Sequence, residues 1–146
     1  NLAIEINPNY ALAYHGLGYA LAVGGNPADA VAQFDTALRL SPKDPYRWAF
    51  NTMKAFALVL IKDHESAVDC GRRGMREQAE VFWAYSHVLS ALGHLGREAE
   101  AEQVLAQLLH IKPGFSSVTI DESIRFKNDL DREHYLEGLR KAGSPG

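Results

Sequence analysis

The chain has one cysteine in 146 residues, Cys70. That excludes an intramolecular disulfide framework and any cysteine-rich metal site, and it fits a reducing, cytoplasmic setting. In "SAVDCGRRGM" the thiol has no His or Asn nearby, so it reads as a small buried hydrophobe and not as a nucleophile. An excess of one charge is also missing. Fifteen Lys and Arg stand against eighteen Asp and Glu, a net charge of -3, with the signs interspersed. No basic block offers itself to a phosphate backbone, so no nucleic acid partner is expected. The one cluster, Arg72, Arg73 and Arg76, is followed by Glu77 and Glu80 and reads as a solvated helix face.

Long apolar runs are absent as well. "AFALVLI" at 55–61 stops at Lys62 and Asp63, short of a membrane span. The chain opens on Asn-Leu-Ala, without an initiator Met or a leader's apolar core, and is expected to be a segment of something longer. Its length suits a single domain.

Catalytic groupings are equally scarce. Ser86, Ser90, Ser116 and Ser117 lie in no Gly-x-Ser-x-Gly context. The histidines (His15, His64, His87, His94, His110, His134) form no pair at the spacing that places two ligands on one helix turn, and His87 and His94 are two turns apart. The carboxylates of "DESIRF" and "NDLDRE" suit solvated helices. No metal, no cofactor and no catalytic residue is expected, and the segment is read as not an enzyme. One stretch argues the other way: "GLGYALAVGGNP" at 16–27 begins with the Gly-x-Gly of phosphate-cradling loops. Such a loop follows a strand and gathers its glycines before a helix N-terminus. Here the first pair falls inside a helical pattern.

What the chain does have is self-similarity. "AYHGLGYALAVGGNPADAVAQFDTALRLSP" (13–42) aligns without a gap on "AYSHVLSALGHLGREAEAEQVLAQLLHIKP" (84–113). Tyr14 falls over Tyr85, Leu21 over Leu92, Gly25 over Gly96, Ala30 over Ala101 and Pro42 over Pro113. Between them, Leu58 and Ala67 take the corresponding places, so the steps from Ala30 to Ala67 to Ala101 are 37 and 34 residues. A period of this size changes the meaning of every local motif inside it.

Each unit reads as two helices. Tyr14, Leu17 and Leu21, then Ala30, Phe34, Ala37 and Leu38, follow a 3.6-residue period. Gly24 and Gly25 are expected to end the first helix, Asn26 to cap the second and Pro27 to occupy its first position. In the middle unit Asp44 and Pro45 are given the same parts. The period is lost after Phe115. "NDLDREHYLEGLRKAG" then reads as an amphipathic helix, capped by Asn128, stopped by Gly143 and apolar through Leu130, Tyr135, Leu136 and Leu139.

Tyr14, Leu17-Gly18, Leu21, Gly25, Ala30, Phe34, Ala37 and Pro42 together resemble the consensus of the tetratricopeptide repeats. The third unit keeps most of it, with Val88-Leu89 and Leu108 as departures. The middle unit departs further, with Ala55 as the small residue and Lys62 in place of the turn glycine. The resemblance implies an all-α fold, an α-α superhelix of about three helix-turn-helix repeats plus a C-terminal capping helix. Its expected boundaries are 1–9 for the end of a truncated repeat, 11–44, 45–81 and 82–115 for the repeats, and 116–146 for a segment covering the open end of the stack.

The family binds peptide segments on the concave face lined by the first helices. Carried over by position, that face takes Leu12, His15 and Tyr19, then Thr52, Phe56 and Val59, then Trp83, His87, Ser90 and His94. The family's clamp for C-terminal carboxylates needs Lys, Asn and Arg there, so a neutral or aromatic-rich peptide, or another helix of the parent chain, is the expected partner. No membrane contact is expected, and a homodimer through the exposed first end of the stack or through the terminal helix is the alternative. "SPKDPYRWAF", "LGREAEAEQVLAQLLHIKPGFS" and "YLEGLRKAG" also resemble the C-terminal repeat region of bacterial signalling proteins. There such repeats follow a class III adenylate cyclase domain or, in other members, a winged helix, and any catalysis would belong to that other part. If the register is right, Ala30→Leu overpacks the contact between helices and costs about 1–3 kcal/mol. A thermal melt unchanged by that substitution overturns the register.

Overall fold

A computed structural model describes residues 8–146. Residues 1–7 of the expected truncated repeat, and the side chain of Leu12, lie outside the described part. Among the described residues there are eight helices and no strand. They are α1 (Pro8–Val23), α2 (Pro27–Leu40), α3 (Arg47–Leu60), α4 (His64–Glu77), α5 (Phe82–Leu95), α6 (Glu98–Ile111), α7 (Ser117–Ser123) and α8 (Asp129–Lys141). None is long and apolar enough to cross a membrane. The first six form hairpins α1/α2, α3/α4 and α5/α6, and the first helices of successive hairpins also touch one another, α1 against α3 and α3 against α5.

The turns explain the hairpins. Gly25 (φ 89°) and Gly96 (φ 70°) take the left-handed backbone that ends α1 and α5. The middle hairpin makes the same turn without a glycine: Lys62, at the corresponding place, has φ 68°. Asp63 then caps α4, its Oδ1 accepting from Ser66 N at 3.3 Å. Two expected caps differ. The Asn26 side chain makes no cap bond to α2; its Nδ2 donates back to Gly24 O at 3.5 Å instead. Asp44 Oδ1 accepts from Tyr46 N at 2.8 Å, closing a side-chain turn that holds Pro45 ahead of the helix, so α3 starts at Arg47.

The core follows the repeat pattern. Ala30, Phe34 and Ala37 of α2 are buried. Gly18 is small because the Phe34 ring lies on it: a Cβ there would stand 2.2 Å from Phe34 Cζ. In α3 every residue from Ala49 to Leu60 except Lys54 is buried, because this helix is covered by α1, α2, α4, α5 and α8 together. Leu17, a consensus position, is 50 % exposed.

The C-terminal segment departs from expectation in where it lies. After α7 the chain crosses to the end of α1, where Lys127 N donates to Val23 O at 2.8 Å. Asn128 caps α8, accepting from Leu130 N at 2.8 Å and Asp131 N at 3.3 Å. Arg132 holds α7 with a two-pronged bond to Asp121, at 2.7 and 2.9 Å. Expected to cover the open end of the stack, α8 instead runs against α5 and touches α3, within the concave layer.

The reason is steric and specific. A Cβ at Gly93 of α5 would stand 1.9 Å from Gly138 O, and one at Gly138 would stand 2.3 Å from Ser90 O. The two backbones meet where neither has a side chain. Amphipathicity alone leaves that destination open, and of the expected apolar face Leu130 is 75 % exposed while Tyr135 and Leu139 are buried.

The left-handed Lys62 offers a test of the turn. Replacing a side chain that disfavours this backbone, Lys62→Gly should raise stability by about 0.5–1 kcal/mol, the relief being partly offset by the freer unfolded glycine. Urea denaturation checks the sign.

Candidate functional site: a divided concave face

The first helices α1, α3 and α5 line the concave face, and α8 divides it. Under α8 the face is closed by hydrogen bonds between neutral groups. The Tyr135 hydroxyl lies 2.6 Å from Ser86 Oγ and 2.7 Å from His87 Nδ1. Ser90 Oγ donates to Tyr135 O at 2.8 Å. Phe56 packs around the same phenol, with ring centroids 5.6 Å from Tyr135, 5.7 Å from Phe126 and 5.0 Å from His87. Burial pushes the His87 imidazole down to about 3 and raises the Tyr135 phenol well above its ordinary value. Both are therefore neutral at physiological pH, which removes the cost of burying a charge here.

The rest of the face is open. A cleft of about 920 Å³ lies between the first helices and the α6–α7 connection. His15 and Tyr19 come from α1, Trp48, Thr52, Met53 and Phe56 from α3, and Phe82, Trp83 and His87 from α5. Lys112, Thr119 and Glu122 stand on the opposite wall. Only Lys112 and Glu122 among the described lining residues carry a formal charge at neutral pH. Burial lowers the His15 pKa and raises that of Tyr19, so these groups are also neutral. Trp83 stacks on His87 with centroids 5.9 Å apart and is only partly buried. Both tryptophans of the chain, Trp48 and Trp83, line this one cleft.

Six of the expected residues thus meet in one place: His15, Tyr19, Thr52, Phe56, Trp83 and His87. Three do not. Val59 and Ser90 are fully buried, Ser90 under α8. His94 turns its Nε2 to the His134 carbonyl at 2.7 Å. Sequence reasoning missed Trp48 and Phe82, each about one helical turn or less from a position that was carried over. It also missed the wall from α7, which belongs to no repeat and has no consensus to mark it. His64 and His134, which the fold brings beside His94, went unseen because no two of the three lie on the same helix.

Three stacked helical hairpins with a shared inner layer form a helical-repeat stack of the tetratricopeptide type, an architecture that supports protein–protein interaction. The sequence model of the family described as Tetratricopeptide repeat matches residues 11–44. The chain is similar to the mitochondrial import receptor subunit TOM70 of Homo sapiens, 24% identical over 149 residues, covering 97% of this chain. The same subunit from Rattus norvegicus and from Mus musculus is also 24% identical over 97% of the chain. The chain spans 24% of the length of these relatives.

His87 makes folding sensitive to acid. The folded protein keeps its imidazole neutral down to about 3, whereas an unfolded histidine protonates near 6.5. Between these values the unfolded state binds more protons, so stability falls as pH drops. Between pH 7 and pH 4.5 His87 should account for a loss of about 2 kcal/mol. Urea denaturation at the two pH values should show a smaller difference in His87→Gln than in the parent; an equal difference contradicts the assignment.

Proposed function

We propose that the chain recognises a segment of a partner protein in the cleft between α1, α3 and α5, and that α8 closes the remainder of the concave face. The observation that carries this reading is the lining itself. A volume of about 920 Å³ suits several side chains of a bound segment. Aromatic rings with half-exposed edges, among them Tyr19, Trp48 and Trp83, are the side chains that anchor such contacts. With one cation and one anion on the far wall, the cleft favours a segment of low net charge that presents apolar or aromatic side chains. A receptor role in the similar TOM70 subunits supports a polypeptide as the partner.

The adenylate cyclase-like parentage rests on the resemblance of the motifs at 41–50, 95–116 and the C-terminal helix alone, and the relatives named above are import receptor subunits. Recruitment by the cleft does not depend on what precedes it. Dimerisation through the terminal helix is the competing reading, but α8 already spends its buried face on α5 and α3.

Because both tryptophans line the cleft, intrinsic fluorescence reports on it directly. Peptides of low charge selected from an immobilised library should change that fluorescence saturably. Tyr19→Glu, which places a charge in the cleft, should weaken their binding at least about tenfold, a loss of about 1.4 kcal/mol. Glu102→Ala, on the exposed face of α6, should leave it unchanged. Peptide binding indifferent to Tyr19→Glu overturns the reading.

A further inference from the structure

Three histidines from three helices meet at the rim of the concave face. His64 opens α4, His94 lies in the last turn of α5, and His134 is on α8. One ring nitrogen of each falls within 4.8 Å of the others. The His64 and His134 Nε2 atoms are 3.0 Å apart. The rings are stacked, with centroids 3.9 Å apart for His94 and His134, 4.6 Å for His64 and His94, and 5.2 Å for His64 and His134. All three are partly buried.

We propose that His64, His94 and His134 bind a divalent transition-metal ion of the zinc class, which fastens α8 to the rim formed by α4 and α5. Two nitrogens bound to zinc in tetrahedral geometry stand about 3.3–3.4 Å apart, close to the separation of the two Nε2 atoms. A single proton bridges those atoms in the metal-free state. Moving it to the Nδ1 of the same ring frees both lone pairs for an ion without net proton release. Ligation also needs the His94 and His134 rings to tilt out of their stack, for which their partly exposed position leaves room. His94 already has the support common around bound metals, a ring N–H donated to a carbonyl, here that of His134.

The donor set chooses the ion. Three imidazoles and no carboxylate within the cluster disfavour calcium and magnesium, which need oxygen ligands, and suit zinc, nickel or copper. Burial lowers the pKa of all three, that of His134 to about 4, and each imidazole is thereby kept in its neutral, ligating form. Three protein ligands leave a fourth position facing solvent.

Isothermal titration with zinc chloride on the full chain tests this. The expected result is one zinc per chain, with affinity falling at least about a hundredfold in His94→Ala and in His134→Ala. His110→Ala, an exposed histidine on α6, should bind zinc like the parent. Circular dichroism establishes that the variants are folded. Imidazole nitrogen NMR of the unaltered protein decides independently of any variant: zinc should shift the signals of His64, His94 and His134 and leave those of His15, His87 and His110 in place. Absence of saturable zinc binding, or shifts confined to other histidines, overturns the proposal.

Discussion

The arrangement of the concave face depends on one steric permission, the meeting of Gly93 and Gly138. At this crossing a carbonyl of one helix occupies the space a methyl group would need on the other. Helix backbones this close cannot be held apart by side chains, so α8 sits deep in the curve of the stack and not on its edge. The depth brings Tyr135 within hydrogen-bond range of both Ser86 and His87, and it puts His134 beside His64 and His94. A bulkier residue at either glycine would lift α8 away and break these contacts together.

The two halves of the concave face use similar chemistry to different ends. Under α8, aromatic and polar groups are satisfied by one another: Tyr135 answers Ser86 and His87, and Phe56 is enclosed by rings. Beyond α8, the same kinds of side chain stand half-exposed, with Trp83 stacked on His87 on one side and open to the cleft on the other. His87 belongs to both halves. Its neutrality, imposed by burial, lets it serve as a hydrogen-bond partner to Tyr135 and as a flat apolar support for Trp83.

The repeats were legible in the sequence because their physics is local. Gly25 and Gly96 mark turns, Ala30 and Phe34 mark a helix face, and the gapless alignment fixes their register. Lys62 shows how far that logic carries, since the turn is imposed there by the flanking helices on a residue that does not favour it. The site was legible where it follows the repeat, at His15, Tyr19, Thr52, Phe56, Trp83 and His87. It was hidden where it depends on α8, because an amphipathic helix announces that it will be buried and not against what. The pairing of Gly93 with Gly138 lies 45 residues apart and obeys no period. The histidines fall under the same rule: spacing reveals ligands that share a helix, and these share none.

A helical-repeat array ordinarily behaves as a one-dimensional spring, each unit touching only its neighbours and free to flex or unravel from an end. The bond from Lys127 N to Val23 O restrains that freedom, since it joins the segment after the last hairpin to the end of the helix that begins the first. The stack becomes a clasp instead of a spring. Its curvature is restrained by its own chain, and contacts between residues about a hundred positions apart must form before it closes, which slows folding relative to an open array of the same length.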